Sequence, residues 1–217
     1  MILEKTALAI DTTAADCSVA LVDKKGVLAQ DSDHIKRGHA ERLAPMVQNV
    51  LAKADMKPAQ IDRIAVCNGP GSFTGLRVGL SFAKGFALPH QTPVLGISAL
   101  KVMAAECDST NSRRVISVID VRRGQVCWQI FDRGVPITDP KTQTVHDAFQ
   151  ALRYAGHDEI AGDGASLLGA HAKIKVPNPS ILGWIALDSF AQEYPPVALY
   201  SRAPDAKPPD GKTPVTV

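Results

Sequence analysis

Ile64-Ala65-Val66-Cys67-Asn68-Gly69-Pro70-Gly71-Ser72-Phe73-Thr74-Gly75-Leu76-Arg77-Val78-Gly79 is the stretch whose reading decides the fold. Its apolar start reads as a buried strand and its Gly/Pro cluster as the end of that strand. Thr74 suits an N-cap, and Leu76, Val78, Leu80, Phe82 and Phe86 suit the helix that follows. Strand, loop and helix in that order point to an α/β architecture. Two readings of the loop stay open. Gly69, Gly71, Ser72, Thr74, Gly75 and Arg77 could contact a phosphate, because free N–H groups and the positive helix end point the same way. Alternatively, the glycines serve only a sharp turn and close packing. Leu76-Arg77 stand where a Walker A loop needs Lys and Ser/Thr. Thr74 stands where a dinucleotide fingerprint needs its third glycine.

Gly75, Gly79, Ala83 and Ala87 recur every four residues and so share one helix face. Glycine costs about 1 kcal/mol in a helix interior relative to alanine. The stripe therefore calls for a closely approaching backbone, either the chain's own sheet or a helix of another subunit. A second helix over residues 38–54 carries Leu43, Met46, Val47, Val50 and Leu51 among its apolar positions, with His39 near its start.

The remaining pattern fills in around these two helices. Strands are expected over residues 7–10, 17–22 and 27–30, joined by the turn Asp23-Lys24-Lys25-Gly26, then over 61–67 and 93–97. Ser98 suits the cap of a helix to Cys107. A second set follows: strands over 115–119 and 126–131, a helix over 144–154, a short strand before Gly162-Asp163-Gly164, a short helix to His171 and a helix over 187–193. Six of the fifteen prolines lie from Pro195 onward, so the tail reads as extended. Each half opens with an apolar strand ending in Asp (Asp11, Asp120), a turn and a returning strand. This suggests two similar lobes, residues 1–100 and 101–217, with a cleft where the Asp-ended strands face each other. A return of the C-terminal segment to the first lobe is left open.

Composition excludes several classes. Apolar residues are 45% and charged residues 21% of 217, with a net charge of +2, which gives no electrostatic argument for nucleic acid or a membrane surface. No apolar run approaches the ~18 residues of a membrane span, and Glu4-Lys5 ahead of a short apolar run do not read as a signal peptide. Cysteines at 17, 67, 107 and 127 lack Cys-x-x-Cys spacing and read as reduced thiols of a cytoplasmic protein.

Ala9-Ile10-Asp11-Thr12, Cys17-Ser18-Val19-Ala20-Leu21, His39-Ala40-Glu41-Arg42-Leu43 and the glycine loop with Arg77 together resemble the bacterial TsaB (YeaZ) family. Val94-Leu95-Gly96-Ile97-Ser98-Ala99-Leu100, Ile119-Asp120-Val121-Arg122-Arg123-Gly124 and Tyr200-Ser201-Arg202-Ala203-Pro204 fit the same family. The resemblance implies the actin-like ATPase (ASKHA) fold, two similar lobes with mixed β-sheets flanked by helices. It implies a part in making threonylcarbamoyladenosine beside the tRNA anticodon, with catalysis in a paralogue, TsaD, and a small ATPase, TsaE, joining the complex. A homodimer when alone, indirect contact with tRNA and ATP or ADP with Mg²⁺ at the complex interface are also implied. The partner interface is then expected at His39, Leu43, Met46, Val47, Val50, Gly75, Gly79, Ala83 and Ala87.

The residues argue against catalysis by this chain. The paralogue holds a metal through His-x-x-x-His on one helix, and here Leu43 stands four residues after His39. Asp11-Thr12-Thr13 keep the residue types that hold phosphate and Mg²⁺ in actin-like ATPases, though an Asp after a buried strand also caps turns. The second phosphate loop of that fold wants Asp-x-Gly, and Arg122 stands at its glycine. Gly162 and Gly164 keep part of an adenosine-side loop. No catalytic residue and no metal ligand is assigned. The expectation is a non-catalytic or weakly nucleotide-binding scaffold, with an actin-like ATPase or small-molecule kinase using Asp11 and Asp120 as the alternative.

Overall fold

The computed structural model describes residues 5–35 and 38–201. The apolar run ahead of the glycine loop is strand β4 (Arg63–Cys67). It lies between two parallel neighbours, β1 (Ala7–Asp11) with Ile64 opposite Leu8, and β5 (Val94–Ile97) with Val66 opposite Gly96. Beyond β1 come β2 (Asp16–Val22) and β3 (Val27–His34), both antiparallel to their neighbours, giving the order β3-β2-β1-β4-β5. The carboxylate of Asp23 fixes the turn between β2 and β3 by accepting the N–H groups of Lys25 and Gly26 at 2.7 and 2.9 Å.

Alternation sorts this sheet into a large-residue face and a small-residue face. Leu8 and Ile10 face helices α1 (His39–Lys53) and α2 (Phe73–Ala87) in one core cluster. Ala7 and Ala9 face α5 (Pro179–Leu187) in another. Helix α5 approaches closely: a Cβ at Gly183 would stand 2.6 Å from a methyl of Val22 and 3.4 Å from Cβ of Ala9. The helix expected over 187–193 is corrected by this element, which ends at Leu187 and leaves only a 3₁₀ turn at Ala191–Glu193. Asn178 and Pro179 start it, Asn178 accepting the N–H of Ser180 at 3.0 Å.

The second sheet holds β6 (Arg114–Asp120) and β7 (Gln125–Asp132), antiparallel with Val118 opposite Trp128. Two strands without a sequence signal, β8 (Val135–Pro136) and β9 (Lys141–Thr144), pair with β7. The short β10 (Glu159–Ala161) runs parallel to β6. Helix α4 (Val145–Leu152), capped by Thr144, covers the outer face over Val118 and Trp128. The expected short helix to His171 is a 3₁₀ stretch, Asp163–Leu168.

Helix α3 (Ala99–Cys107) lies with α5 between the two sheets, where Leu100, Met103, Leu182 and Ala186 meet Val115, Ile119 and Phe131. The layers therefore run α1/α2, first sheet, α3/α5, second sheet, α4. A cut between residues 100 and 101 falls inside α3, and α5 packs on the first sheet although it comes late in the chain. Residues 194–200 also return to the first lobe, where Leu199 donates to the carbonyl of Asn68 at 2.7 Å. The tail from Arg202 lies outside the described residues.

Candidate functional site

The end of β1 and the glycine loop form one packed unit. Asp11 is 2% exposed, and its Oδ1 accepts both the backbone N–H and the hydroxyl of Thr13, at 2.8 and 2.7 Å. Burial pushes this carboxyl above the ordinary range, and the Thr13 bonds pull it partly back. Thr12 donates its hydroxyl to the carbonyl of Gly75 at 2.8 Å, and Ser72 donates its N–H to the carbonyl of Thr13 at 2.8 Å. A Cβ at Gly71 would stand 2.5 Å from the Thr13 carbonyl, and one at Gly75 would overlap the Thr12 carbonyl. A Cβ at Gly79 would stand 2.5 Å from the Thr12 hydroxyl. The glycines thus let one backbone lie directly on another. Ser72, not Thr74, caps α2, its hydroxyl accepting the N–H of Gly75 at 3.2 Å, while Thr74 is exposed inside the first turn. Arg77 is exposed, with its guanidinium 3.9 Å from the centre of the Phe73 ring.

Across from this unit, β6 ends at Asp120. Its N–H donates to Asp163 Oδ1 at 2.9 Å, and its carboxylate accepts Arg122 N–H at 2.7 Å and pairs with the Arg122 guanidinium at 3.1 Å. Arg122 adopts φ 70°, the left-handed backbone that a glycine would take there, and folds its side chain back onto Asp120. Burial pushes the Asp163 carboxyl up, the Asp120 N–H bonded to it pulls it partly back, and the Asp120 negative charge adds to the rise. At Gly162 (φ 102°) a Cβ would overlap the Val118 carbonyl, and one at Gly164 would stand 2.9 Å from the Ile119 carbonyl carbon. Both glycines therefore let this loop lie on β6. Between the two units runs a cleft of about 780 Å³, lined by Thr13, Ser72, Phe73, Asp120, Arg122, Asp163, Lys175 and Tyr200. Asp120 faces this cleft, whereas Asp11 lies buried behind Thr13.

The expected interface residues sit elsewhere than on the surface. Leu43, Met46, Val47, Val50 and Ala83 are at most 1% exposed, and His39, Gly75, Gly79 and Ala87 are buried as well. They pack this chain on itself, so another molecule would reach them only by opening the core. The outward face of α2 is different. Phe82 and Phe86 stack with ring centres 5.6 Å apart, and with Pro58, Ser81, Gly85, Pro89 and His90 they line a shallow groove of about 520 Å³. Sequence reading placed both phenylalanines on α2 without separating them from the buried set. Their i, i+4 spacing along the edge of the glycine stripe, half-buried beside it, was the signal. Among the described residues no three His, Cys, Asp or Glu side chains cluster to hold a metal. All four cysteines carry free thiols, and no helix of the described residues is long and apolar enough to cross a membrane.

Two mixed sheets with α3 and α5 between them, and an Asp-ended strand from each lobe at the central cleft, define an actin-like ATPase fold. The family model described as "TsaD: tRNA N6-adenosine threonylcarbamoyltransferase" matches residues 26–191. The chain is 31% identical to the Buchnera aphidicola protein named tRNA threonylcarbamoyladenosine biosynthesis protein TsaB, over 81% of this chain and 86% of that one. It is 39% identical to the Escherichia coli protein of the same name over 58% of this chain, and spans about half (54%) of that relative's length. The solved structure of YeaZ from Pseudomonas aeruginosa superposes with a TM-score of 0.73 at 25% identity, over 90% of this chain and 99% of that one. The chain belongs to the TsaB (YeaZ) family, within the wider group that the TsaD model describes.

Proposed function

We propose that this chain serves tRNA threonylcarbamoyladenosine biosynthesis as a holding subunit for a TsaD-like catalytic paralogue, in the cytoplasm, with no nucleotide chemistry in its own cleft. The observation that carries this reading is that the chain fills its own first phosphate position. Gly71 and Gly75 lie directly on Thr13 and Thr12, and behind them Oδ1 of the buried Asp11 accepts both Thr13 donors. An actin-like fold implies Mg²⁺ with ATP or ADP, and the residues present do not fit that group. Asp120 is closed by Arg122, and Gly162 and Gly164 are taken up by contact with β6.

The partner surface is the outward face of α2 with its Phe82–Phe86 groove, together with the polar face of α1 that exposes Arg42, Pro45, Gln48 and Asn49. Half-buried aromatic side chains beside a polar rim are the usual composition of a docking patch. This surface replaces the buried stripe as the docking face. Alone, the chain pairs with a second copy through the same face. A TsaE-like ATPase joins the heterodimer, and tRNA meets the paralogue rather than this subunit.

A reconstituted modification assay with the paralogue tests the reading through two variants. Asp11→Asn is expected to keep modification within about threefold of wild type, whereas Phe86→Asp is expected to remove it. Loss of modification in Asp11→Asn with a normal fold would instead assign Asp11 to nucleotide chemistry.

A further inference from the structure

After the 3₁₀ turn at Ala191–Glu193, residues 194–200 lie along the outer edge of β5, the last strand of the first sheet. Gly96 donates its N–H to the carbonyl of Tyr194 at 2.9 Å. Asn68, just past β4, donates its amide to the carbonyl of Val197 at 2.9 Å and accepts the N–H of Leu199 on its own carbonyl at 2.7 Å. Both points of closest approach lack a side chain. A Cβ at Gly96 would stand 2.8 Å from the Pro195 carbonyl, and one at Gly69 would stand 2.7 Å from the Leu199 carbonyl. The first lobe is therefore shaped to receive the backbone of this segment.

Tyr200 then reaches the first turn of α2. Its ring lies 4.9 Å from the Phe73 ring, and its hydroxyl accepts Arg77 Nε at 3.3 Å. The same tyrosine forms part of the wall of the inter-lobe cleft. One short segment thus touches the edge of β5, the glycine loop, the start of α2 and the cleft.

The hold past Tyr194 is light. Tyr194 packs against the core between the sheets and its hydroxyl accepts Lys101 Nζ, whereas Val197 is 65% and Tyr200 44% exposed, and Ala198 packs at the edge of the first-lobe core. Asn68 Oδ1 is buried without a partner among the described residues, so the seated state leaves one acceptor unmet. Few buried apolar contacts and solvent-facing hydrogen bonds mark a segment that opens locally. Pro195 and Pro196 limit the freedom the segment loses on reseating.

We infer that residues 194–200 are a releasable strap. Seated, the strap caps the edge of β5 and clamps the glycine loop and the first turn of α2. Released, it frees both and removes one wall of the cleft. This device is independent of the partner reading, because every contact it uses lies within the chain.

Hydrogen exchange followed by mass spectrometry on the full chain tests it, comparing wild type with Tyr200→Ala, Tyr200→Phe and Leu199→Pro. Tyr200→Ala is expected to speed exchange about tenfold or more in peptides covering residues 68–77 and 94–97, leaving 115–131 unchanged. Leu199→Pro, which deletes the N–H that Asn68 accepts, is expected to give the same local pattern. Tyr200→Phe keeps the ring and is expected to stay within about threefold of wild type. Unchanged exchange at 68–77 in both disruptive variants would overturn the inference. Equal loss of protection across the whole chain, 115–131 included, would overturn it too, because the segment would then be an ordinary part of the global fold.

Discussion

Asp11 occupies the strand end where an actin-like ATPase keeps a cation-facing carboxylate, and here Oδ1 of that carboxylate accepts both the N–H and the hydroxyl of Thr13. Burial raises its pKa, so between the ordinary carboxylate value and the raised one the folded chain binds more protons than the unfolded chain. Its contribution to stability is therefore present at acid pH and lost as pH rises through the folded pKa. Asp11→Asn keeps an acceptor for Thr13 without the charge. It is expected to exceed wild type in urea midpoint near about pH 8, with the gap closing toward about pH 4. A variant weaker at both pH values would show that the ionised carboxylate is stabilised by something this account omits. Two glycines of α2 make a paired prediction. Gly75→Ala forces a methyl into the Thr12 carbonyl and is expected to cost about 2 kcal/mol, roughly 6 °C in Tm. Gly85→Ala meets nothing within 4 Å and is expected to gain about 0.5–1 kcal/mol. Thermal unfolding of both variants checks the contrast.

Helix α2 presents opposite demands on its two sides. The glycine–alanine stripe admits the β1 end and the sheet, while Phe82 and Phe86 beside it are half-buried on the core and line a groove between Pro58 and Pro89. A charge placed in this groove is therefore expected to damage association more than the fold. Phe82→Asp is expected to weaken binding to the TsaD-like paralogue by about 100-fold in a calorimetric titration, with Tm within a few degrees of wild type. Tyr154→Asp, at the 82% exposed tyrosine beyond α4, is expected to leave binding unchanged. Elements like α2 were legible in the sequence because each carries its own signal: an apolar run ended by Gly/Pro, a cap, a stripe. The residues that were not legible depend on distant partners. Helix α5 is apolar nearly all round, because it is buried between two sheets built from residues far earlier in the chain, so it shows no period to read. Strand β9, Lys141-Thr142-Gln143-Thr144, is polar and exists through its pairing with β7. The same limit applied to the site. Sequence spacing grouped Gly75, Gly79, Ala83 and Ala87 on one face, but whether that face met the chain's own sheet or another subunit was set by tertiary packing.

At the scale of the molecule, the two lobes are not separable halves. Helices α3 and α5 share one core between the sheets, and Arg63 of the first sheet donates to the carbonyls of Ala186 and Ser189 at the end of α5. The duplicated plan, an Asp-ended strand in each lobe, was visible in the sequence, whereas the crossing of α5 to the first sheet was not. The cleft so formed is bordered by an Asp-ended strand of each lobe; the glycine loop packs on the end of the first, and Arg122 folds back onto Asp120 at the end of the second. Under the proposed function, a chain built this way holds a partner of similar build. Light scattering coupled to size exclusion, on this chain alone and mixed with the TsaD-like paralogue, tests that claim most directly. The account predicts a homodimer that exchanges into a one-to-one heterodimer on mixing. A chain that stays monomeric and elutes apart from the paralogue would contradict it.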